Sequence, residues 1–282
     1  MEQQLNDIRE QQKETWNKFS PGWKKWDDFT MKFLKPMGDA IISELNIKES
    51  DVVLDAASGT GEPGLTIAAM VKSGKVTGID VADKMLVLAK ENAASKQLNN
   101  FETKTCDICE LPFADNSYDK ISCRMGFMFF PDMQLAANEM FRVLKPGGKM
   151  ATSVWSTPDK NIWITGIMGV INKNMQLPPP PPGAPGMFRC GAPGFIRSIM
   201  EKSGFKNIKE LPIIGKVVYE NFDHMWQMMN DVAAPVVGAF GKADDDMKVK
   251  IKNESEQFCK QFQTSNGLEL DYGALVISGE KP

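Results

Sequence analysis

A strand that ends in a carboxylate and runs directly into a glycine loop constrains this chain more than any other feature. Residues 52–71 read VVLDAASGTGEPGLTIAAMV: an apolar run, then glycines at 59, 61 and 64 that satisfy G-x-G-x-x-G, then a helical run from Leu65 to Val71. Such a loop lets backbone N–H groups come close to a ligand, and in its dinucleotide version the ligand is a pyrophosphate. Here Asp55 ends the strand and Glu62 stands inside the loop. At an effective dielectric near 20, two carboxylates beside a pyrophosphate repel it by on the order of several kcal/mol. The loop therefore predicts a ligand with a cationic end.

The pattern around this loop repeats. KVTGID (75–80) reads as a second strand and ADKMLVLAKENAASK (82–96) as a helix. Strands at 101–105 and 119–123, a helix at 133–144, the turn KPGG and a strand at 149–155 follow. Strand and helix in alternation predict an α/β fold, a doubly wound, Rossmann-like parallel sheet that binds ligands at the carboxyl ends of its strands. A helix at 194–203 and strands at 216–222 and 272–279 complete it. Residues 1–45 read as an amphipathic helical arm, with Trp16, Phe19, Trp23, Trp26 and Phe29 at helical spacing and Pro21-Gly22 expected to interrupt it. The organisation that follows is an arm (1–45), a ligand-binding core (46–156), an insertion (157–192) carrying LPPPPPGAPGMFRCG, and the rest of the sheet (193–282) with a helical cap at 223–267. Stiff polyproline with both flanks in one sheet is expected to form a surface lid or wall over the site, with a passive loop as the alternative.

A chain of 282 residues with net charge -3 offers no basic stripe, so a small-molecule partner is expected and nucleic acid is not. Residues 1–14 lack an apolar stretch and no run of about 18 apolar residues occurs, which predicts a cytoplasmic protein without a membrane span. The five cysteines are expected to be free thiols; Cys106 and Cys109 spell C-x-x-C, but no second pair and a single histidine, His224, give no closed zinc site, so no metal is expected.

Four separated motifs together carry a resemblance: D-x-x-x-G-x-G after a strand, the acidic end of GID80, Asp107 before L-P-F in CDICELPF, and L-K-P-G-G at 144–148. Over about residues 50–155 the chain resembles the class I S-adenosylmethionine-dependent methyltransferases. It is most similar to the ubiquinone and menaquinone biosynthesis type, including DKMLVLAKENA and W-x-x-F-S-P-G-W near the N-terminus. Ser58 stands where those quinone enzymes usually carry glycine.

The resemblance implies S-adenosyl-L-methionine as cofactor, with S-adenosyl-L-homocysteine as product. It implies that Asp55 faces the methionine ammonium, directly or through water, while the backbone of Ala56, Ala57, Ser58, Gly59 and Gly61 passes the ligand. Asp80, followed by Val81 and Met85, is expected to accept the ribose hydroxyls, and Asp107, with Ile108 beside it, the adenine amine. Arg124 is expected to touch the cofactor through backbone or side chain.

After the fourth strand, CRMGFMFFPD carries no N-P-P-Y-like grip for a planar amine, which disfavours nucleic-acid amines as acceptors. Phe127, Met128 and Phe129 are candidates for an apolar acceptor pocket, with core packing as the alternative. Trp23 and Arg189 are further candidate substrate contacts. No general base is assigned, since His224 reads as a surface residue near a helix start. The expected function is methyl transfer to a small apolar or aromatic acceptor; the alternatives are a non-catalytic cofactor-binding or interaction module and an NAD-dependent oxidoreductase.

Overall fold

The computed structural model describes residues 2–179, 181 and 183–282. Eight strands form one sheet: β1 (Val52–Ala56), β2 (Lys75–Asp80), β3 (Phe101–Thr105), β4 (Tyr118–Arg124), β5 (Leu144–Trp155), β6 (Lys206–Tyr219), β7 (Gln263–Thr264) and β8 (Gly267–Glu280). Their order is β3-β2-β1-β4-β5-β8-β6, with β7 paired to β8. The first five pair in parallel and β8 runs antiparallel to its neighbours β5 and β6. The order reverses between β1 and β4, which opens a crevice at their carboxyl ends. The doubly wound α/β expectation holds.

The helices are α1 (Glu2–Lys25), α2 (Asp27–Leu45), α3 (Gly64–Met70), α4 (Asp83–Ser95), α5 (Met133–Val143), α6 (Ile162–Met175), α7 (Phe195–Ser203), α8 (Phe222–Val232), α9 (Ala234–Phe240) and α10 (Asp245–Cys259). Side-chain caps begin α5, α8 and α10, where Asp132, Asn221 and Asp244 accept from the backbone N–H groups of Leu135, His224 and Met247. Both faces of the sheet are covered. Val53, Val76, Ala151 and Val276 meet Ile41, Leu45 and Ile67 in one core, while Leu54, Ile79, Ile121 and Ile277 belong to a larger one on the opposite side.

Three local expectations need correction. Pro21 does not interrupt the arm: α1 continues to Lys25 and the chain breaks at Trp26 instead. The carbonyl of Asn17, which a proline leaves without its helical donor, accepts the Ser20 hydroxyl at 2.9 Å, so the bond is replaced locally. Gly22 is required for packing, because a Cβ there would lie 2.0 Å from the Asp231 carbonyl oxygen on α8. Pairing of β5 starts at Leu144, so the KPGG segment is part of the strand, with Gly147 bonded through its N–H to the Lys281 carbonyl at 2.8 Å.

Within the insertion at 157–192, α6 (Ile162–Met175) buries Trp163, Ile164, Ile167 and Ile171. The polyproline stretch follows α6, and Pro180 and Pro182 lie outside the described residues. Finally, β6 starts at Lys206, ten residues before the expected Lys216. Charged residues and Pro212 hide it in the sequence, and an edge strand tolerates both.

Candidate functional site

One cavity occupies the crevice at the carboxyl ends of β1, β2 and β4 and extends beneath α1, α2, α6 and the junction of α8 with α9. It encloses about 1580 Å³ of space, open mouth included.

The floor is made by backbone. Ser58 donates its N–H to the Ile79 carbonyl at 2.8 Å, which ties the loop after β1 to the end of β2. Ala57 and Met125, at the ends of β1 and β4, both hold left-handed backbone, with φ of 53° and 60°. For side chains with a Cβ this conformation is strained, and two such residues flank the crevice. Gly59 also has positive φ, and a Cβ there would meet nothing within 4 Å, so the loop leaves an open cradle at that point. A ligand's atoms can approach the chain there.

Asp80 anchors this floor. Its Oδ2 accepts from the Gly59 N–H at 3.0 Å and its Oδ1 from the Ala82 N–H at 2.9 Å. Burial raises its pKa above the ordinary value, opposed by these backbone bonds. Each oxygen keeps a lone pair, so the carboxylate can still accept two hydroxyl donors. Asp107 lies at the other side of β2. Its Oδ1 accepts from the Cys109 N–H at 3.0 Å, and its Oδ2 pairs with the Arg9 guanidinium from α1.

Asp55 departs from its expected place. It is fully buried, and its two oxygens accept the hydroxyls of Ser58 and Ser122, each at 2.6 Å. Desolvation raises its pKa to about 6, against the lowering by those two hydroxyls. It stands behind the cavity wall and holds the loop from below.

Of the other expected residues, Ala57, Ser58, Gly59, Asp80, Val81, Met85, Asp107, Ile108 and Arg124 are brought together in the wall, with Trp23 and Met128 on the side of the apolar extension. Ala56 and Gly61 support the loop without lining the cavity. Phe127 is completely buried against Phe130, their centroids 5.1 Å apart, so of the expected apolar residues Met128 and Phe129 face the space instead. Arg189 also misses the cavity, because its Nη1 donates to the Phe130 carbonyl at 2.6 Å and buttresses the segment from behind.

His224 packs among Trp26, Phe29 and Tyr219, and its Nδ1 accepts from the Glu220 N–H at 3.3 Å, away from the wall. Burial pushes the Cys106 and Cys109 thiols up to about 12, so neither supplies a thiolate near neutral pH.

Residues not named as site candidates complete the cavity. Trp16 meets Phe129 edge to face at 5.0 Å. Phe33, Trp155 and Trp163 form an aromatic cluster with centroid separations of 5.1–5.7 Å. Met187, Met228 and Pro235 close its far side. Trp155 was findable as the last residue of a parallel strand, where such sheets place their ligands. Nothing local marks Arg9 or Phe33.

The residues fit a nucleoside with an amino-acid tail: an open backbone cradle, one carboxylate able to accept a ribose, another across the floor, and an adjoining apolar chamber. Strand order and the cavity at the strand ends give a fold of the kind found in class I methyltransferases. Comparison adds a family match over part of the chain. Residues 47–175 match a protein family described as a methyltransferase domain.

Over 136 residues the chain is 33% identical to the demethylmenaquinone methyltransferase of Oceanobacillus iheyensis, covering 48% of this chain and 52% of that one. The chain thus spans about half the length of the curated relatives it matches. Among solved structures, a putative methyltransferase from Bacillus halodurans superposes with TM-score 0.59 at 18% identity, over 87% of this chain and 98% of the other. The Haemonchus contortus phosphoethanolamine N-methyltransferase 2, solved with S-adenosyl-L-methionine, gives TM-score 0.53 at 18% identity, over 88% of this chain and 52% of that one. Among the described residues no helix is long and apolar enough to cross a membrane, and none of the titratable clusters has metal-ligating composition.

Proposed function

We propose that this protein transfers a methyl group from S-adenosylmethionine to a small apolar or aromatic acceptor. The observation that carries the reading is the continuity of one cavity, from the Asp80 floor into the cluster of Phe33, Trp155 and Trp163. One end suits a polar nucleoside and the other a flat apolar molecule.

The cofactor supplies an electrophilic methyl on a sulfonium, and the chain's task is to align and to exclude water. Asp80 receives the ribose hydroxyls, and the backbone at Ala57–Gly59 passes beside the ligand. Asp107 receives the adenine amine once Arg9 has yielded its Oδ2. Trp16 and Trp23 on α1 cover the cofactor, while Met128 and Phe129 stand where the two ligands meet. His224, outside the wall, takes no part as a base.

The relatives' name raises a quinol acceptor, which the aromatic chamber admits along with phenols and other flat molecules. The test is a panel of quinols, phenols, thiols and amines with methyl-labelled cofactor. Label in a flat apolar member is the expected result. Tight binding of S-adenosylhomocysteine with no label in any acceptor would mean a binding module, and oxidation of NADH would replace the reading altogether.

A further inference from the structure

A zwitterionic ligand tail needs a cation and an anion placed together, and the residue expected to supply the anion is closed off. Asp55 is fully buried, and both of its oxygens already accept serine hydroxyls. Ser58 is itself one of the two, so the side chain that departs from the quinone enzymes' glycine is what seals the carboxylate. Another pair faces the cavity. Arg124, at the end of β4, and Glu62, just before α3, both line it.

Arg124 is unusual in its partners. Among the described residues its guanidinium makes no ion pair, and its one side-chain hydrogen bond is the donation from Nη2 to the Met31 sulfur at 3.4 Å, a weak acceptor. A guanidinium has five N–H donors, and burying it without acceptors is costly. Desolvation lowers its pKa from the ordinary value, opposed by the fields of Glu62, Asp55 and Asp27. Its position is that of a cation awaiting a ligand's anion. Glu62 complements it: Oε2 accepts from the Thr66 N–H and hydroxyl, at 3.1 and 2.7 Å, while among the described residues Oε1 has only Lys96 at 3.9 Å. One carboxylate oxygen is fixed and the other is free to take a donor.

We infer that Arg124 and Glu62 are the seat of the cofactor's amino-acid end, Arg124 receiving the α-carboxylate through its planar fork and Glu62 the α-ammonium. Asp55 then acts as a positioning residue that holds Ser58 and the loop, without touching the ligand. The inference rests on the proposed cofactor and assigns which side chains read its tail. Planar bidentate recognition of a carboxylate is the task for which arginine differs most from lysine.

Calorimetry with three ligands tests it: S-adenosylhomocysteine, its desamino analogue, and methylthioadenosine, which lacks the amino-acid end. The Arg124→Met variant should lose about 10- to 100-fold in affinity for the first two, the range of one charge-assisted bidentate contact, and stay within about twofold of the parent for methylthioadenosine. The Arg124→Lys variant should recover part of the loss. Glu62→Gln should weaken S-adenosylhomocysteine about tenfold and leave the desamino analogue unchanged.

Equal losses for all three ligands would make Arg124 a structural residue and overturn the inference. So would unchanged cofactor affinity with a raised acceptor KM, which would assign the guanidinium to an acceptor's anion. If the parent protein binds methylthioadenosine and S-adenosylhomocysteine equally well, the tail has no seat here, though the nucleoside reading stands. If the parent binds neither, the proposed function fails first and takes this inference with it.

Discussion

The two ends of the cavity are built by different means. The polar end is assembled from chain between residues 55 and 124, at the tips of adjacent parallel strands, and much of its surface is backbone held by short bonds such as Ser58 to Ile79 and Gly59 to Asp80. The aromatic end draws on α1, α2, the tip of β5, α6 and the α8–α9 junction, and its surface is side chain. On the proposed function, this is a division of labour: the floor fixes the cofactor, and the roof selects the acceptor.

The largest effect should come from beneath the floor. Asp55 has its pKa raised to about 6 by burial, whereas the unfolded chain holds it near 3.8. For an acid raised in the folded state, the native protein binds the extra proton between those values, so stability is greatest below about pH 3.8, falls as pH rises through 6, and is constant above. The shift corresponds to about 3 kcal/mol at about 1.36 kcal/mol per unit. Asp55→Asn should therefore gain stability relative to the parent at pH 8 compared with pH 4, by up to about 3 kcal/mol in denaturant unfolding. An identical difference at both pH values would show that the carboxylate is not desolvated as described.

Next comes Asp80. Its removal deprives the ligand of two acceptors and leaves the Gly59 and Ala82 N–H groups without theirs. Asp80→Ala should weaken S-adenosylhomocysteine about 100-fold by calorimetry, equivalent to about 2.7 kcal/mol, with acceptor selectivity among the few turnovers left unchanged. Undiminished affinity would break the assignment of this end to the cofactor.

The opposite test is made in the roof. Phe33 is half-buried between Trp155, Trp163 and Tyr272 at centroid distances of 5.2–5.7 Å. Phe33→Ala should lower kcat/KM for the best acceptor about 10- to 30-fold while S-adenosylhomocysteine binds within about twofold of the parent. Parallel losses in both would mean that the two ends are one site energetically.

The same division explains what was legible. Asp80, Asp107 and the glycine loop could be placed at the cavity because they follow strand ends that the alternation reveals. Asp55 was legible in identity and not in burial, since what covers it is Ser122, on a different strand and 67 positions away. The helix inside 157–192 was hidden by the adjacent polyproline, which dominates the composition of the segment although Trp163, Ile164, Ile167 and Ile171 repeat at helical spacing. Phe33 and Arg9 belong to an arm whose amphipathic face gives its helical state and not what it packs on.

Arg9 is where the two ends meet, and its removal should have the smallest effect. From α1 it reaches over the floor to Asp107, the carboxylate proposed for the adenine amine. The guanidinium and the amine cannot both have the same oxygen, so cofactor binding must displace one donor or rotate it aside. The pair is partly open to solvent, which limits its strength to about 1 kcal/mol. Arg9→Gln should thus raise affinity for S-adenosylhomocysteine about fivefold and quicken its association in stopped-flow fluorescence, since Trp16 and Trp23 share the helix. A fall in affinity would mean the opposite arrangement, in which Arg9 stays and closes over a bound adenine. In that case the arm belongs to the floor, and the boundary between the two ends has to be moved outward to α1.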